Sequence, residues 1–316
     1  MTKSTIKDKR RQRRNKSKIT SNDELYSSLT EEVFVLPDET PEYVEQIQVK
    51  TTERKRLRPL IGAEYDYKEM AEKYSERNVA QQLGNYRQAM EFLAHVTLPA
   101  NEDNDRIVDR LKTLIYSYPN VDISSFVNKE HAIVYSWMIQ NMVRVFGEKY
   151  LGTVYTLGGG IGLIGAMLLD TKLRIENIRN FDINGTCKFL ADEMMKKEVL
   201  DDWKFKASTQ DMFAVDYAEN NLEITLPNGS ISKAFKEIPG LVINTNVSLL
   251  QNQDDWYDML PDTRRIVLIG EAGDLDIHRP FSSSQTFNNA FKMTFEQYTG
   301  VITVDKKQFF MKIGLK

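Results

Sequence analysis

The chain has 316 residues, of which 41% are hydrophobic and 28% are charged, and its formal net charge is −3. This is the composition of a soluble globular protein, and no apolar run approaches the roughly 20 residues that cross a bilayer. Cys187 is the only cysteine and the three histidines lie far apart, which excludes an internal disulfide and gives no zinc-type ligand spacing. We therefore expect a cytoplasmic protein with no metal centre and no membrane partner.

The first 20 residues form a basic block, with nine Lys or Arg residues against the single acid Asp8. The rest of the chain holds 33 basic and 44 acidic side chains, a balance of −11. A block of one charge sign cannot bury itself, so we predict a disordered basic arm and linker over residues 1–60. Such an arm suits nucleic acid or another polyanion, because each contacted phosphate releases counterions. It equally suits a solubilising tail without a specific partner.

Residues 61–149 form a predicted α-helical region, because apolar residues recur there at three- and four-residue intervals. The predicted helices span Tyr65–Leu98, Asn104–Tyr118 and Ala132–Phe146. Either Ser124 or Asn128 can cap the third helix at its start, and Gly147 is placed to end it.

Residues 150–316 change pattern, because short apolar runs now alternate with helical stretches. Strands are predicted at Thr153–Leu157, Asn177–Asp182, Trp203–Ala207, Gly240–Asn244 and Arg265–Ile269, and helices at Gly162–Leu169, Thr186–Lys197 and Ser284–Tyr298. This alternation implies parallel βαβ units covered on both faces. A small inserted hairpin is expected around Pro227–Ser230, and the terminal strands Tyr298–Val304 and Gln308–Ile313 pair as a second hairpin. The predicted fold is thus α/β: a Rossmann-like, mostly parallel sheet with a C-terminal antiparallel hairpin.

The strongest local signal is the glycine-rich segment Thr156–Gly165, which follows an apolar strand and opens an apolar helix. Glycines at 158, 160 and 162 let the backbone turn tightly and approach a ligand, and the N–H groups of the helix start face that ligand. Asp182 ends the next strand, twenty residues after Gly162, where an acid accepts hydrogen bonds from ribose hydroxyls. The segment therefore predicts a nucleotide site. Its glycine spacing also suits a dinucleotide, so a dehydrogenase is kept as the lowest-ranked alternative.

The order of these motifs resembles that of class I S-adenosylmethionine-dependent methyltransferases, over about residues 150–316. The resemblance implies that Gly158, Gly160 and Gly162 cradle the amino-acid half of S-adenosylmethionine. It also implies that Asp182 and Ile183 lie at the ribose, Asp211 and Met212 at the adenine, and Asn244 at cofactor and acceptor. Asn244 and Asn246 are the candidate catalytic residues: their amides can orient an acceptor, although neither can act as a general base.

Two positions depart from the family pattern. Thr156 stands where the family has an acid that helps to bind the methionine amino group. The segment Asn244–Val247 replaces the Asn/Asp-Pro-Pro-aromatic signature of enzymes that methylate nucleobase amines. Two alternatives therefore stay open beside methyl transfer to an unknown acceptor. One is a nicotianamine-synthase-like transfer of an aminocarboxypropyl group, and the other is a non-catalytic scaffold tethered to nucleic acid by the basic arm.

Several other residues admit two interpretations. His278 and Glu271 follow the fifth strand and can be general bases, but a surface position is favoured for His278. The segment Trp256–Tyr257 either stacks on a substrate or packs on the sheet. His131 and Tyr135, one helical turn apart, can face the pocket, but we expect core packing. Cys187 is expected to be a buried small hydrophobe.

Overall fold

The computed structural model describes residues 78–98, 105–225, 231–273 and 281–316. The basic arm and linker predicted for residues 1–60, the start of the first predicted helix, the turn at Pro227–Ser230, and His278 lie outside the described residues. Among the described residues, no helix has both the length and the apolar character needed to cross a bilayer.

The described residues form eight α-helices and nine strands. The helices are α1 Asn78–His95, α2 Asp105–Ser117, α3 Lys129–Phe146, α4 Leu163–Leu169, α5 Gly185–Met194, α6 Lys196–Leu200, α7 Gln253–Asp258 and α8 Ser284–Ala290. The strands are β1 Tyr150–Leu157, β2 Arg174–Asp182, β3 Phe205–Thr209, β4 Asn220–Thr225, β5 Ile231–Glu237, β6 Pro239–Asn244, β7 Arg265–Glu271, β8 Phe295–Val304 and β9 Lys307–Leu315. Short 3₁₀ turns follow β3 and β6.

Seven strands form the central sheet in the order β3-β2-β1-β6-β7-β9-β8. The pairs among β3, β2, β1, β6 and β7 are parallel, whereas β9 pairs antiparallel with both β7 and β8. The strand order reverses between β1 and β6, which makes the carboxyl ends of these strands the switch point where ligands bind in such sheets. The predicted Rossmann-like sheet with an antiparallel C-terminal pair is thus confirmed. The strands β4 and β5 form a separate antiparallel hairpin between β3 and β6.

Hydrophobic cores cover both faces of the sheet, because successive strand residues point to opposite sides. Val154 of β1 packs in a core with the three N-terminal helices, while its neighbour Tyr155 packs in the other core. The second core is rich in aromatic side chains from α7 and α8, including Trp256, Phe287 and Phe291. Trp256 is fully buried, and its Nε1 donates to the Tyr217 hydroxyl at 3.0 Å. The packing interpretation of Trp256 therefore agrees with its position.

The helix α3 begins at Lys129, three residues before the predicted start at Ala132, and it ends at Phe146 as predicted; of the two candidate caps, Asn128 is the one used. The Asn128 side chain accepts a hydrogen bond from the His131 backbone N–H, and Gly147 ends the helix with a φ of 53°. The N-terminal helices share one hydrophobic core with the sheet, through residues such as Phe92, Leu111 and Met138. The division into a helical region up to residue 149 and a domain from residue 150 stays a prediction.

Two predicted helices differ from the observed ones. The helix predicted over Ser284–Tyr298 ends at Ala290, because the following residues form β8 against β9. Tyr298 pairs there with Ile313, and strand pairing prevails over the local helical pattern. The helix predicted over Thr186–Lys197 is interrupted at Met195, whose φ of −105° separates α5 from α6.

A buried ion-pair network joins α2 to the Rossmann-like sheet region. The Arg110 guanidinium on α2 donates to the Ala166 carbonyl at 2.9 Å, to Asp170 Oδ1 at 2.9 Å and to Glu198 Oε1 at 2.6 Å. Asp170 is fully buried. Burial raises the pKa of Asp170, and the facing guanidinium of Arg110 opposes that rise. The network therefore fixes the helical region against α4 and α6.

Replacing Arg110 by Met should lower the free energy of unfolding by about 3–5 kcal/mol, because it removes the guanidinium that pairs with the buried carboxylates of Asp170 and Glu198. Urea-induced unfolding measures this loss. The matched control is Lys236→Met, which removes an exposed pair with Glu219 and should change stability far less. Equal effects of the two variants would contradict the structural role of Arg110.

Candidate functional site

The glycine loop after β1 turns through a series of backbone conformations that favour glycine. Gly158, Gly160 and Gly162 have φ values of 58°, 52° and 81°. An added Cβ at Gly160 would lie 2.8 Å from the Phe126 ring, and one at Gly162 would lie 3.0 Å from the Phe205 ring. The loop therefore requires glycine both for its left-handed backbone and for its close packing.

The end of β2 holds this loop through hydrogen bonds. The Gly160 N–H donates to Asp182 Oδ2 at 2.9 Å, and Asn180 Nδ2 donates to the Gly160 carbonyl at 3.1 Å. The other Asp182 oxygen accepts from the Asn184 N–H at 2.9 Å. Asn180 is buried, and its Oδ1 accepts from the Thr156 hydroxyl at 2.8 Å. Thr156, which replaces the acid of the family pattern, thus supports Asn180 from inside the sheet.

A cavity of about 450 Å³ opens at the carboxyl ends of β1, β2, β3 and β6. Its wall includes all of Gly158–Gly160, the end of β2 at Phe181–Asp182, and the two residues Gln210 and Met212 after β3. This volume is within the range of small-molecule sites. The cavity therefore lies at the switch point of the sheet, where the sequence predicts the nucleotide.

The predicted site residues fall into two groups. Those that line this cavity are Gly158, Gly160, Asp182, Ile183, Met212 and Asn246. Ile183 is 73% exposed and so forms part of the rim. Gly162, Asp211 and Asn244 are not among the lining residues.

The positions of those three residues have local physical reasons. Gly162 caps α4 and packs against β3. Asp211 is exposed, and its carboxylate caps the 3₁₀ turn after β3 by accepting from the Phe213 N–H at 3.0 Å. Asn244 is fully buried, with its Oδ1 accepting from the Asn246 N–H at 2.9 Å. The structure thus places Asn244 behind the cavity wall, where its side chain holds the loop after β6.

Asn246 joins the loop after β6 to the glycine loop. Its Nδ2 donates to the Gly158 carbonyl at 3.0 Å, and an added Cβ at Gly158 would lie 2.7 Å from the same Nδ2. Asn246 also lines the cavity. The side chain therefore links the loops that follow β1 and β6, and it adds a polar residue to the cavity lining.

His131 and Tyr135, for which the sequence favours core packing, line the cavity from the first turns of α3. Tyr135 also packs against the hydrophobic core, as predicted. Their rings are stacked with centroids 5.0 Å apart. His131 Nδ1 lies 2.8 Å from the Phe126 carbonyl oxygen and 3.2 Å from Asn128 Nδ2. The nearer carbonyl can only accept, so Nδ1 carries the proton and Nε2 of the neutral ring is the acceptor. The sequence contains one indication of this position: His131 and Tyr135 are four residues apart on α3, the helix that directly precedes β1 and the glycine loop.

Burial controls the protonation of both rings. Burial lowers the pKa of His131 below its ordinary value of 6.5, against the opposing effect of the Phe126 carbonyl and the nearby Glu130 and Glu271. The ring is therefore neutral at pH 7. Burial raises the pKa of the Tyr135 hydroxyl to about 12, so that hydroxyl stays protonated.

A second, smaller cavity of about 170 Å³ adjoins the first at the carboxyl ends of β6 and β7. The two cavities share His131, Tyr135, Asn246 and Leu249. The carboxylates of Glu130 and Glu271 also line the smaller one. Lys307 lies between these carboxylates, with its Nζ 3.1 Å from Glu130 Oε2 and 3.4 Å from Glu271 Oε1.

Several solved structures are similar to this chain at low identity. Magnesium protoporphyrin IX methyltransferase from Synechocystis PCC 6803, with bound SAM, is 14% identical over 80% of this chain and 99% of its own, with a TM-score of 0.37. Geranyl diphosphate C-methyltransferase from Streptomyces coelicolor A3(2) is 9% identical over 65% and 84%, with a TM-score of 0.40. A SAM-dependent methyltransferase from Aquifex aeolicus is 15% identical over 55% and 87%, with a TM-score of 0.33.

No protein-family model and no curated protein matches the chain. The class of fold therefore follows from the strand order. The five parallel strands β3, β2, β1, β6 and β7 are followed in the sheet by β9 and β8, and β9 is antiparallel to both of its neighbours. This is a Rossmann-like fold.

Replacing Asn180 by Ala should lower the free energy of unfolding by about 1–3 kcal/mol, because the buried Thr156 hydroxyl and Gly160 carbonyl lose their partner. Chemical denaturation measures the change. Asn289→Ala, which truncates an exposed asparagine of α8, is the control and should leave stability unchanged. An unchanged stability of Asn180→Ala would contradict the stabilising role of the Asn180 hydrogen bonds to Thr156 and Gly160.

Proposed function

We propose that this protein is an S-adenosylmethionine-dependent methyltransferase. The observation that carries the proposal is the 450 Å³ cavity at the switch point, in which the glycine loop Gly158–Gly160 faces the carboxylate of Asp182. A glycine backbone without Cβ atoms allows close approach of a ligand, and a carboxylate at the end of the second strand accepts hydrogen bonds from ribose hydroxyls.

The residues present fit the cofactor in size and chemistry. Each Asp182 oxygen accepts one backbone N–H and keeps further acceptor capacity for a ribose hydroxyl. Met212 in the lining and Ile183 at the rim add apolar surface to the cavity, which suits a base ring. No acid stands at position 156, so we expect binding in the micromolar range.

The bound cofactor would supply a methyl group on a sulfonium centre. The protein's own contribution is to align an acceptor with that group and to remove a proton where the acceptor carries one. His131 and Tyr135 lie where the two cavities meet, and Asn246 holds the glycine loop beside them. In this proposal, residues of α3 and of the loop after β6 align the acceptor with the methyl group. The identity of the acceptor stays undetermined.

Isothermal titration calorimetry with S-adenosylmethionine tests the cofactor. The full chain should bind S-adenosylmethionine and not NAD. Asp182→Ala should weaken binding at least about tenfold, because hydrogen bonds to a charged group contribute roughly 1.5–3 kcal/mol. Asp262→Ala, at an exposed turn, should bind like the parent protein.

The possible results separate the alternatives. Binding of NAD in place of S-adenosylmethionine would identify a dehydrogenase, and binding of neither would leave a scaffold. Where S-adenosylmethionine binds, incubation with candidate acceptors distinguishes the two transfers by product. Methyl transfer yields S-adenosylhomocysteine, whereas aminocarboxypropyl transfer yields methylthioadenosine and would contradict the proposal.

Replacing Gly160 by Arg should abolish cofactor binding, because the side chain enters the cavity wall and collides with Phe126. The matched control is Gly147→Arg, since Gly147 has nearly the same φ of 53° but open space around its Cα. The control should lose about 1 kcal/mol of stability and keep cofactor binding. Circular dichroism shows that both variants fold, and calorimetry compares them. Retained binding by Gly160→Arg would place the ligand elsewhere.

A further inference from the structure

The smaller cavity is placed to hold a second reactant beside the first. It lies at the carboxyl ends of β6 and β7, and it shares four wall residues with the larger cavity. At about 170 Å³ it is below the usual range for whole small-molecule ligands. It therefore suits a small molecule, or the reactive end of a larger one, that meets the cofactor across His131 and Tyr135.

The charges around this cavity select against anions. Glu130 and Glu271 contribute two carboxylates and Lys307 one ammonium, which leaves one negative charge in excess beside the neutral His131. Lys307 is 48% exposed, whereas Glu130 and Glu271 are 28% and 22% exposed, so solvent weakens the field of the two carboxylates but does not reverse its sign. A carboxylate or phosphate ligand is repelled, whereas an ammonium group finds a counter-ion.

His131 provides a proton acceptor at the junction of the cavities. Its Nδ1 is held by the Phe126 carbonyl at 2.8 Å, which leaves Nε2 as the nitrogen with an available lone pair. The stacked ring of Tyr135 restrains the imidazole further. The titratable and charged groups around this ring are Glu130 on its own helix, Glu271 on β7 and Lys307 on β9.

We propose that the smaller cavity receives the methyl acceptor, that this acceptor is a small alkyl amine, and that His131 Nε2 takes the proton the amine loses. The inference rests on the proposed methyltransferase function. The ammonium form binds beside the carboxylates and transfers one proton to Nε2. The nitrogen lone pair then forms the N–CH₃ bond, and the S–CH₃ bond breaks with its electron pair passing to sulfur. The products are a methylated amine and S-adenosylhomocysteine.

This arrangement differs from the one that methylates nucleobase amines. The signature of that reaction is absent from Asn244–Val247, and Asn244 is buried behind the wall. An alkyl amine needs no such signature, because its positive charge is recognised by carboxylates. Glu130 and Glu271 supply these from α3 and β7.

Three probes with one ring and different head groups test the charge selection: benzylamine, benzyl alcohol and benzoate. Each is titrated into the full chain with and without saturating S-adenosylhomocysteine, and binding is followed by ligand-observed NMR. Benzylamine should bind and benzoate should not. Glu271→Gln should weaken benzylamine binding about threefold to fivefold, as for a partly exposed ion pair. Glu223→Gln, the same change on the exposed face of β4, should have no effect.

The imidazole signals of His131 test the contact directly. The chain has three histidines, so the spectrum of His131→Gln assigns the ring, and His95 serves as an internal reference. Benzylamine should shift the His131 signals and lower the pKa of that ring, because a nearby ammonium opposes the imidazolium form.

Failure of this inference is distinguishable from failure of the proposed function. A protein that does not bind S-adenosylhomocysteine contradicts the methyltransferase proposal. A protein that binds S-adenosylhomocysteine but gives no His131 response to benzylamine overturns the acceptor site alone. Benzoate or benzyl alcohol binding as tightly as benzylamine overturns the amine assignment.

Discussion

The site depends on one constraint, the anchoring of a left-handed glycine loop to the strands on both sides of β1. On one side, Asn180 and Asp182 at the end of β2 bind the carbonyl and N–H of Gly160. On the other side, Asn246 after β6 binds the carbonyl of Gly158. A loop of glycines loses more conformational entropy on ordering than other residues do. These side-chain hydrogen bonds offset that loss and keep the backbone in the shape that forms the cavity.

The topology explains why both of the cavities described above lie at this edge of the sheet. Parallel strands present their carboxyl ends to one side, and the order reverses between β1 and β6. The larger cavity occupies the side of β1 and β2, and the smaller one the side of β6 and β7. Helix α3, which precedes the sheet in sequence, crosses between them and places His131 and Tyr135 at the junction. The Arg110 network fixes α2 against α4 and α6, and α3 shares their hydrophobic core, so the junction has a rigid support.

The sequence predicts the features that depend on local physics. The order of strands and helices, the glycine loop, Asp182 at the end of β2 and the ends of α3 follow from periodicity and turn chemistry. Features set by packing at a distance were harder to predict. Asn244 has the residue type of a ligand contact, but its burial and its bond to the Asn246 N–H depend on how the loop after β6 closes. The i, i+4 spacing of His131 and Tyr135 fits both a core face and a pocket face of α3, and the packing of α3 against the sheet decides that these residues line the cavities.

Thr156 stands where the family that the sequence resembles has an acid, and this difference affects the distribution of negative charge in the site. A carboxylate at that position would lie under the glycine loop and raise the negative charge of the larger cavity. Here a fully buried hydroxyl bonds to Asn180, and Asp182 is the one acid among the described lining residues of that cavity. The other lining carboxylates, Glu130 and Glu271, belong to the smaller cavity. Negative charge is therefore concentrated at Asp182 in the larger cavity and at Glu130 and Glu271 in the smaller cavity. The neutral rings of His131 and Tyr135 line both cavities and form a region of low charge where the two meet. Under the proposed function, this is where the sulfonium methyl group and the deprotonated nitrogen would react.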